Sequence, residues 1–180
     1  GMAREAFDDE VARAIERIYM APEVVAQRRD TLARLALMPG ERVLDIGSGP
    51  GFLCEQIAEA VAPGGAVVGI DLSPDMKARR RSPAIRYEAG DATALDLPDG
   101  AFDAVVSTQV AEYVPDIAAF CAEVARVMRP GGRGLVLATD WDGVIWHSDD
   151  PVRMARVMAA FEGHCADPRL PRTLGHRLSE

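Results

Sequence analysis

Residues 43–52 read Val-Leu-Asp-Ile-Gly-Ser-Gly-Pro-Gly-Phe, an apolar run that carries one acid, Asp45, and then places Gly47, Gly49 and Gly51 in a single turn. A glycine inside regular structure costs roughly 0.5–1 kcal/mol relative to alanine, so such a cluster marks a backbone that needs a special conformation or close approach. A strand, a glycine turn and a helix N-terminus in that order bring main-chain N–H groups and a helix dipole to one spot. That is a docking surface for a nucleotide-like ligand. The dinucleotide-binding fingerprint, G-x-G-x-x-G, would need its third glycine at position 52, which is Phe52. The pattern here is G-x-G-x-G. Asp71, Asp91 and Asp140 follow later apolar runs in the way Asp45 belongs to the first, either as ligand-facing carboxylates or as ordinary turn formers.

The elements that must position these groups follow from periodicity. Phe7, Val11, Ile15 and Ile18 recur at helical spacing, Pro22 punctuates, and residues 23–37 form a second amphipathic stretch. Residues 42–46 read as a first strand, and Leu53, Ile57 and Val61 as a helix stopped by Pro63-Gly64-Gly65. A second strand spans 66–71. Ser73 and Pro74 open a helix, and residues 84–91 and 102–108 read as the third and fourth strands. The next helix carries the stripe Ile117, Phe120, Cys121, Val124 and Met128 and ends at Arg-Pro-Gly-Gly, before a fifth strand over 133–140. Strands alternating with helices imply crossovers and a parallel sheet covered on both faces. The expected fold is therefore α/β, doubly wound and Rossmann-like, with Asp45, Asp71, Asp91 and Asp140 along the rim where such sheets bind ligands.

The chain has 180 residues, 48% of them hydrophobic, enough for one continuous core. Gly1 precedes Met2 and is set aside as a cloning remnant. The expected organisation is an N-terminal helical cap over residues 2–40 and a ligand-binding domain over 41–180. No apolar run is long enough for a bilayer, and the charged, periodic N-terminus is unlike a signal peptide; the expected location is cytoplasmic, with no membrane partner. A net charge of −8 argues against nucleic acid. Cys54, Cys121 and Cys165 form no CxxC pair, so the expectation is free thiols, mostly buried, and no metal site.

With its acid, Val-Leu-Asp-Ile-Gly-Ser-Gly-Pro-Gly resembles the first motif of the class I S-adenosylmethionine-dependent methyltransferases. The resemblance runs from about residue 41 to 139 and takes in 69–76, 90–107 and 126–137. Residues 107–116 look most like the small-molecule branch similar to the ubiquinone and menaquinone-biosynthesis methyltransferases. The resemblance implies S-adenosyl-L-methionine as cofactor, lying against the main chain of Gly47, Gly49 and Gly51. Asp45 would hold its amino end, and Asp71 would accept both ribose hydroxyls with its two oxygens. Leu72 would pack on adenine, Asp91 would take the adenine amino group and Ala92 the ring. Gln109 would offer its main chain to the amino group, and Tyr19 and Arg28 would line a lid. Residues 72–90 are shorter than relatives usually carry, so the helix there should be clipped.

The implied activity is methyl transfer to a small-molecule acceptor, which needs in-line positioning and a general base only if the acceptor must lose a proton. The substrate loops of this fold follow the fourth and fifth strands, which places candidates at Glu112-Tyr113-Val114 and at residues 140–150. Residues 140–150 gather Trp141, Trp146, Asp140, Asp142 and His147, with His147 the candidate base against the plainer reading of a surface histidine beside core tryptophans. The three cysteines are badly placed for the arsenite-methylating branch. Relatives usually add two strands after the fifth, one antiparallel, and no residues remain for them. The expectation is thus a sheet lacking its last two strands, either in a shortened chain or with a homodimer partner covering the fifth. A nucleotide-dependent oxidoreductase, disfavoured by Phe52, and an inactive cofactor-binding module remain as alternatives.

Overall fold

The computed structural model describes residues 2–72, 82–140 and 165–179, with residues 152, 156, 159 and 163. Its sheet has five strands in the order β3-β2-β1-β4-β5, every pair parallel. They are β1 (Arg42–Ile46), β2 (Ala66–Asp71), β3 (Ile85–Ala89), β4 (Phe102–Thr108) and β5 (Met128–Leu137). β1 lies at the centre, with Val43 paired to Val67 on one side and to Ala104 on the other. Successive strands run outward from β1 in one direction and then from β4 in the other, so the order reverses between β1 and β4. In open sheets of this kind a ligand crevice lies at the carboxyl end of that seam.

Side chains alternate across the pleat and divide the core into two layers. Val43, Val67, Ala104 and Val106 meet Leu53, Cys54, Ile57 and Val61 of helix α3 (Phe52–Val61) and Leu35 of α2 (Pro22–Leu35). Leu44, Ile46, Val68, Ile70 and Val105 meet Phe120, Val124 and Val127 of α4 (Ile117–Val127), with Leu170 and Leu174 from the segment that runs into α5 (Pro171–Ser179). Both faces are covered, as the near-continuous apolar strands require. Asp45 shares the parity of Val43 and so points into the α3 layer.

Asp116 caps α4 by accepting the Ala119 N–H at 3.0 Å. The helix ends one residue before Met128, which completes its apolar stripe in sequence but instead opens β5 opposite Phe102. The next paired residue on β5 is Arg133, opposite Ala104, so the Arg-Pro-Gly-Gly segment bulges within the strand rather than preceding it. Gly132 permits this, because a Cβ there would lie 2.7 Å from Met128 Cγ and 2.9 Å from a backbone oxygen. β3 and β5 also stop short of their expected ends: Asp91 falls two residues past β3 and Asp140 three past β5.

Helix α1 (Met2–Tyr19) departs from its sequence pattern as well. Val11 and Ile18, on its apolar stripe, are 42% and 63% exposed. Among the described residues the buried face of the N-terminal pair belongs to α2, through Arg28, Thr31 and Leu35. Arg133 fixes that helix: its Nε donates to Leu35 O at 2.7 Å, and its two terminal nitrogens grip the Glu41 carboxylate at 3.0 and 2.6 Å. The same contact holds Glu41 below the ordinary carboxylate range. Arg133→Ala is expected to cost about 1–3 kcal/mol in chemical denaturation, and Arg133→Lys, which lacks the fork, to recover less than half of that.

Candidate functional site

The glycine turn uses its residues in three ways. Gly47 has a φ of +82°, and a Cβ on it would lie 2.1 Å from Val110 Cγ2. Gly49, also left-handed, lies under the Tyr19 hydroxyl, 2.9 Å from where its Cβ would be. Gly51 is the N-cap of α3 at a φ of +85° and donates to Ser48 O at 3.0 Å. Only Gly47 lines the two cavities that meet at this turn; the other two glycines shape it.

The first cavity, about 520 Å³, lies toward β2 and β3 and is lined by Asp71, Leu72, Asp91, Ala92 and Thr93 among others. Asp71 closes β2, and its Oδ2 accepts the Gly49 N–H at 2.9 Å, tying the strand end to the turn. Leu72 is 80% exposed, an apolar side chain held open at the cavity edge. Asp91 accepts both the N–H and the hydroxyl of Thr93, at 2.8 and 2.7 Å. These bonds, the backbone one foremost, hold its carboxyl below the ordinary range. That is an Asx turn, so Asp91 shapes a turn and borders the cavity together.

The second cavity, about 450 Å³, lies under the N-terminal helices and is lined by Tyr19, Gln27, Arg28, Thr31, Asp45 and Thr139, and by Gln109 and Tyr113, which border both cavities. Gln109 has a φ of +59°, an uncommon conformation for a residue with a side chain. Its N–H donates to Leu137 O at 2.7 Å, and its side chain meets the Thr139 hydroxyl. The phenol of Tyr19 stacks on Phe52 at a centroid separation of 5.7 Å, while the Arg28 guanidinium stands 5.1 Å from the same ring. Arg28 also donates to Tyr19 O at 2.7 Å. Burial pushes the Tyr19 phenol up, with Asp45 and Asp71 adding to the effect and Arg28 opposing it.

Asp45 is 1% exposed. Its Oδ2 accepts the Cys54 thiol at 3.2 Å, and its Oδ1 has no hydrogen-bond partner. Burial pushes its pKa from 3.8 to about 7, with the Asp71 charge adding to the rise and the thiol opposing it.

Sequence reasoning missed Thr31, Ser48 and Thr139, which line the second cavity beside Tyr113 of the candidate segment 112–114. Thr31 carried a signal, a small polar residue three positions after Arg28 and four before buried Leu35. Glu112 is fully buried with neither carboxyl oxygen hydrogen-bonded, and burial pushes its pKa up; its carbonyl receives the N–H groups of Ala166 and Asp167. Asp140, expected on the ligand rim, instead forms an ion pair with Arg172 at 2.6 Å. His147, Trp141, Asp142 and Trp146 lie outside the described residues, as does the helix expected to be clipped after Ser73. Among the described residues the cysteines form no disulfide; Cys54 and Cys165 are buried and Cys121 half-buried. Among the described residues no helix is long and apolar enough to cross a membrane.

An open parallel sheet with paired cavities at the reversal of its strand order defines a nucleotide-type binding protein. Residues 44–136 match the family described as a methyltransferase domain. The chain belongs to that family, in the S-adenosylmethionine-dependent class. It is 40% identical over 141 residues to an uncharacterised 37.1 kDa protein in transposon TN4556 of Streptomyces fradiae, a match covering 76% of this chain and 40% of that one. A demethylmenaquinone methyltransferase of Beutenbergia cavernae is 43% identical over 111 residues, covering 61% and 45%. The crystal structure of an S-adenosylmethionine-dependent methyltransferase from Mesorhizobium loti superposes with a TM-score of 0.53 at 35% identity, covering 63% of this chain and 51% of that one. The chain thus spans about half the length of the relatives it matches. The family's cofactor fits the groups present: an ammonium-bearing ligand suits the unpartnered, buried Asp45 Oδ1, and Gly47 borders both cavities.

Asp45 sets a pH dependence on the ligand-free protein. Between about pH 4 and 7 the unfolded chain has released this proton and the folded one retains it, so the native state loses stability as pH rises through that window. Asp45→Asn removes the titration. It is expected to stabilise the ligand-free protein at pH 8 by roughly 2–4 kcal/mol, with a gain that shrinks as the pH falls toward 4, measured as denaturation midpoints across pH.

Proposed function

We propose that this chain transfers the methyl group of S-adenosylmethionine to a small-molecule acceptor, and that the two cavities meeting at Gly47 are the two halves of the cofactor site. The observation that carries this reading is their division of labour. One has a strand-end carboxylate, Asp71, beside an exposed apolar side chain, Leu72. The other has a buried carboxylate, Asp45, with an oxygen to spare.

In the first half Asp71 accepts the ribose hydroxyls, Leu72 covers one adenine face, and Asp91 with the Ala92 main chain meets the base edge. In the second half Asp45 and the Gln109 main chain receive the amino group, with Tyr19 and Arg28 as the wall above. Gly47 borders both halves, with its α-carbon close to the Val110 side chain, while Gly49 and Gly51 hold the turn. On this reading residues 2–40 are a helical cap and residues 41–180 the binding domain. The bound cofactor supplies a methyl group on a sulfonium cation, already activated. What remains for the chain is to exclude water and hold an acceptor in line, a contribution of several kcal/mol when geometry is maintained. Because the Beutenbergia relative is named for demethylmenaquinone, that compound is the first acceptor to try.

Calorimetric titration with S-adenosylhomocysteine tests the site. The parent protein is expected to bind it and to ignore NAD, and Asp71→Ala to weaken binding at least about tenfold through loss of a charge-assisted pair of hydrogen bonds. Unchanged affinity in that variant, or binding of NAD alone, defeats the reading. Transfer of labelled methyl from S-adenosylmethionine to demethylmenaquinone and to a panel of small carboxylic acids and phenols tests the activity.

A further inference from the structure

The Cys54 thiol is buried beside the Tyr87 phenol, yet it makes a directed polar contact, donating to Asp45 Oδ2 at 3.2 Å. It lies in the first turn of α3, nine residues after the acid it serves. A thiol is a weak donor and normally packs as a small hydrophobe, so this orientation is informative. It occupies one carboxylate oxygen and leaves the other, Oδ1, with no partner on a side chain that borders the second cavity.

We propose that Cys54 is a positioning residue of the cofactor site, whose thiol turns the Asp45 carboxylate so that Oδ1 is presented to a cationic group in the cavity. The inference rests on the reading of Asp45 as the acceptor for the cofactor's amino group. Burial and the neighbouring carboxylate push the Cys54 pKa far above its ordinary value, so the thiol remains a donor throughout the working range. Asp45 itself is pushed up to about 7, so near neutral pH its ionisation is in the balance.

The groups that bear on that balance come from every element around it. Asp71 on β2 disfavours the charge, and the Cys54 thiol on α3 favours it. The phenols of Tyr19 on α1 and Tyr87 on β3 both feel the Asp45 charge, and Arg28 on α2 lines the same cavity. Of the influences acting directly on Asp45, the thiol is the one that lowers its pKa. Removing it drives Asp45 toward the neutral acid, which cannot pair with an ammonium group.

The test is the pH dependence of S-adenosylhomocysteine binding between pH 5.5 and 9, by calorimetry, on the parent protein and on Cys54→Ala, Cys54→Val, Cys54→Ser and Asp45→Asn. In the parent, affinity should fall as pH drops through the Asp45 titration. Cys54→Ala and Cys54→Val, the second filling the same space without a donor, should move that midpoint up by about one pH unit and weaken binding about fivefold at pH 7. Their affinity should return to within about twofold of the parent at pH 9, and Cys54→Ser should restore the parent profile. If Asp45→Asn loses affinity while both apolar variants follow the parent profile, Cys54 has no positioning role. If Asp45→Asn binds like the parent, the role of Asp45 itself is wrong and this inference falls with it.

Discussion

A carboxylate buried one residue from the end of the central strand is the constraint to which the site answers. β1 is paired on both sides at Asp45, and both faces of the sheet are covered by helices, so Asp45 is buried at the edge of the second cavity. A buried acid without a cation is costly in its charged form, and the molecule meets that cost only in part. The first turn of α3 stands beside it with its positive dipole end, Cys54 supplies one proton donor, and the remaining oxygen faces the cavity region without a partner. On the proposed reading of the site, the arrangement disfavours the empty protein and favours a cation that completes it, a trade of stability for binding of the kind common at functional sites.

The second constraint is the glycine turn, which is clamped from above. Phe52, the residue that breaks the dinucleotide-binding pattern, is the platform on which Tyr19 stacks and over which Arg28 stands. The ring therefore docks the N-terminal helices onto the binding turn at the position where a third glycine would have left a gap. The Tyr19 hydroxyl then lies over Gly49, and the Gly49 N–H is held by Asp71. One short segment thus joins α1, α3 and β2, while Arg133 and Glu41 hold α2 from the opposite end. The wall of the second cavity is consequently part of the folded core and not an independent flap.

Much of this architecture is legible in residue order. β1, β2 and β4 occupy the spans that their apolar runs and flanking turns indicate, 42–46, 66–71 and 102–108, because a strand buried on both faces must be apolar throughout. The α4–β5 junction is misread for an equally plain reason. Met128 extends the helical stripe in sequence, but pairing with Phe102 and the bulge at Gly132 give it a ladder partner instead. The stripe of α1 misleads because periodicity shows which residues share a face, and not whether anything covers that face. Asp91 and Asp140 look alike in sequence, yet one forms an Asx turn at a cavity edge and the other pairs with Arg172.

The chain's own order determines the alternation of strands and helices, the glycine turn and the acids near the strand ends, since each depends on neighbours within a few residues and on their period. Which groups meet is decided by the packed molecule alone. Cys54 reaches Asp45, Asp71 reaches Gly49 across 22 residues, and Tyr19 stands over the same glycine. Such encounters depend on strand register and on the face to which each crossover helix is carried, and these follow from the burial of two apolar layers at once, a balance that no local stretch of sequence contains.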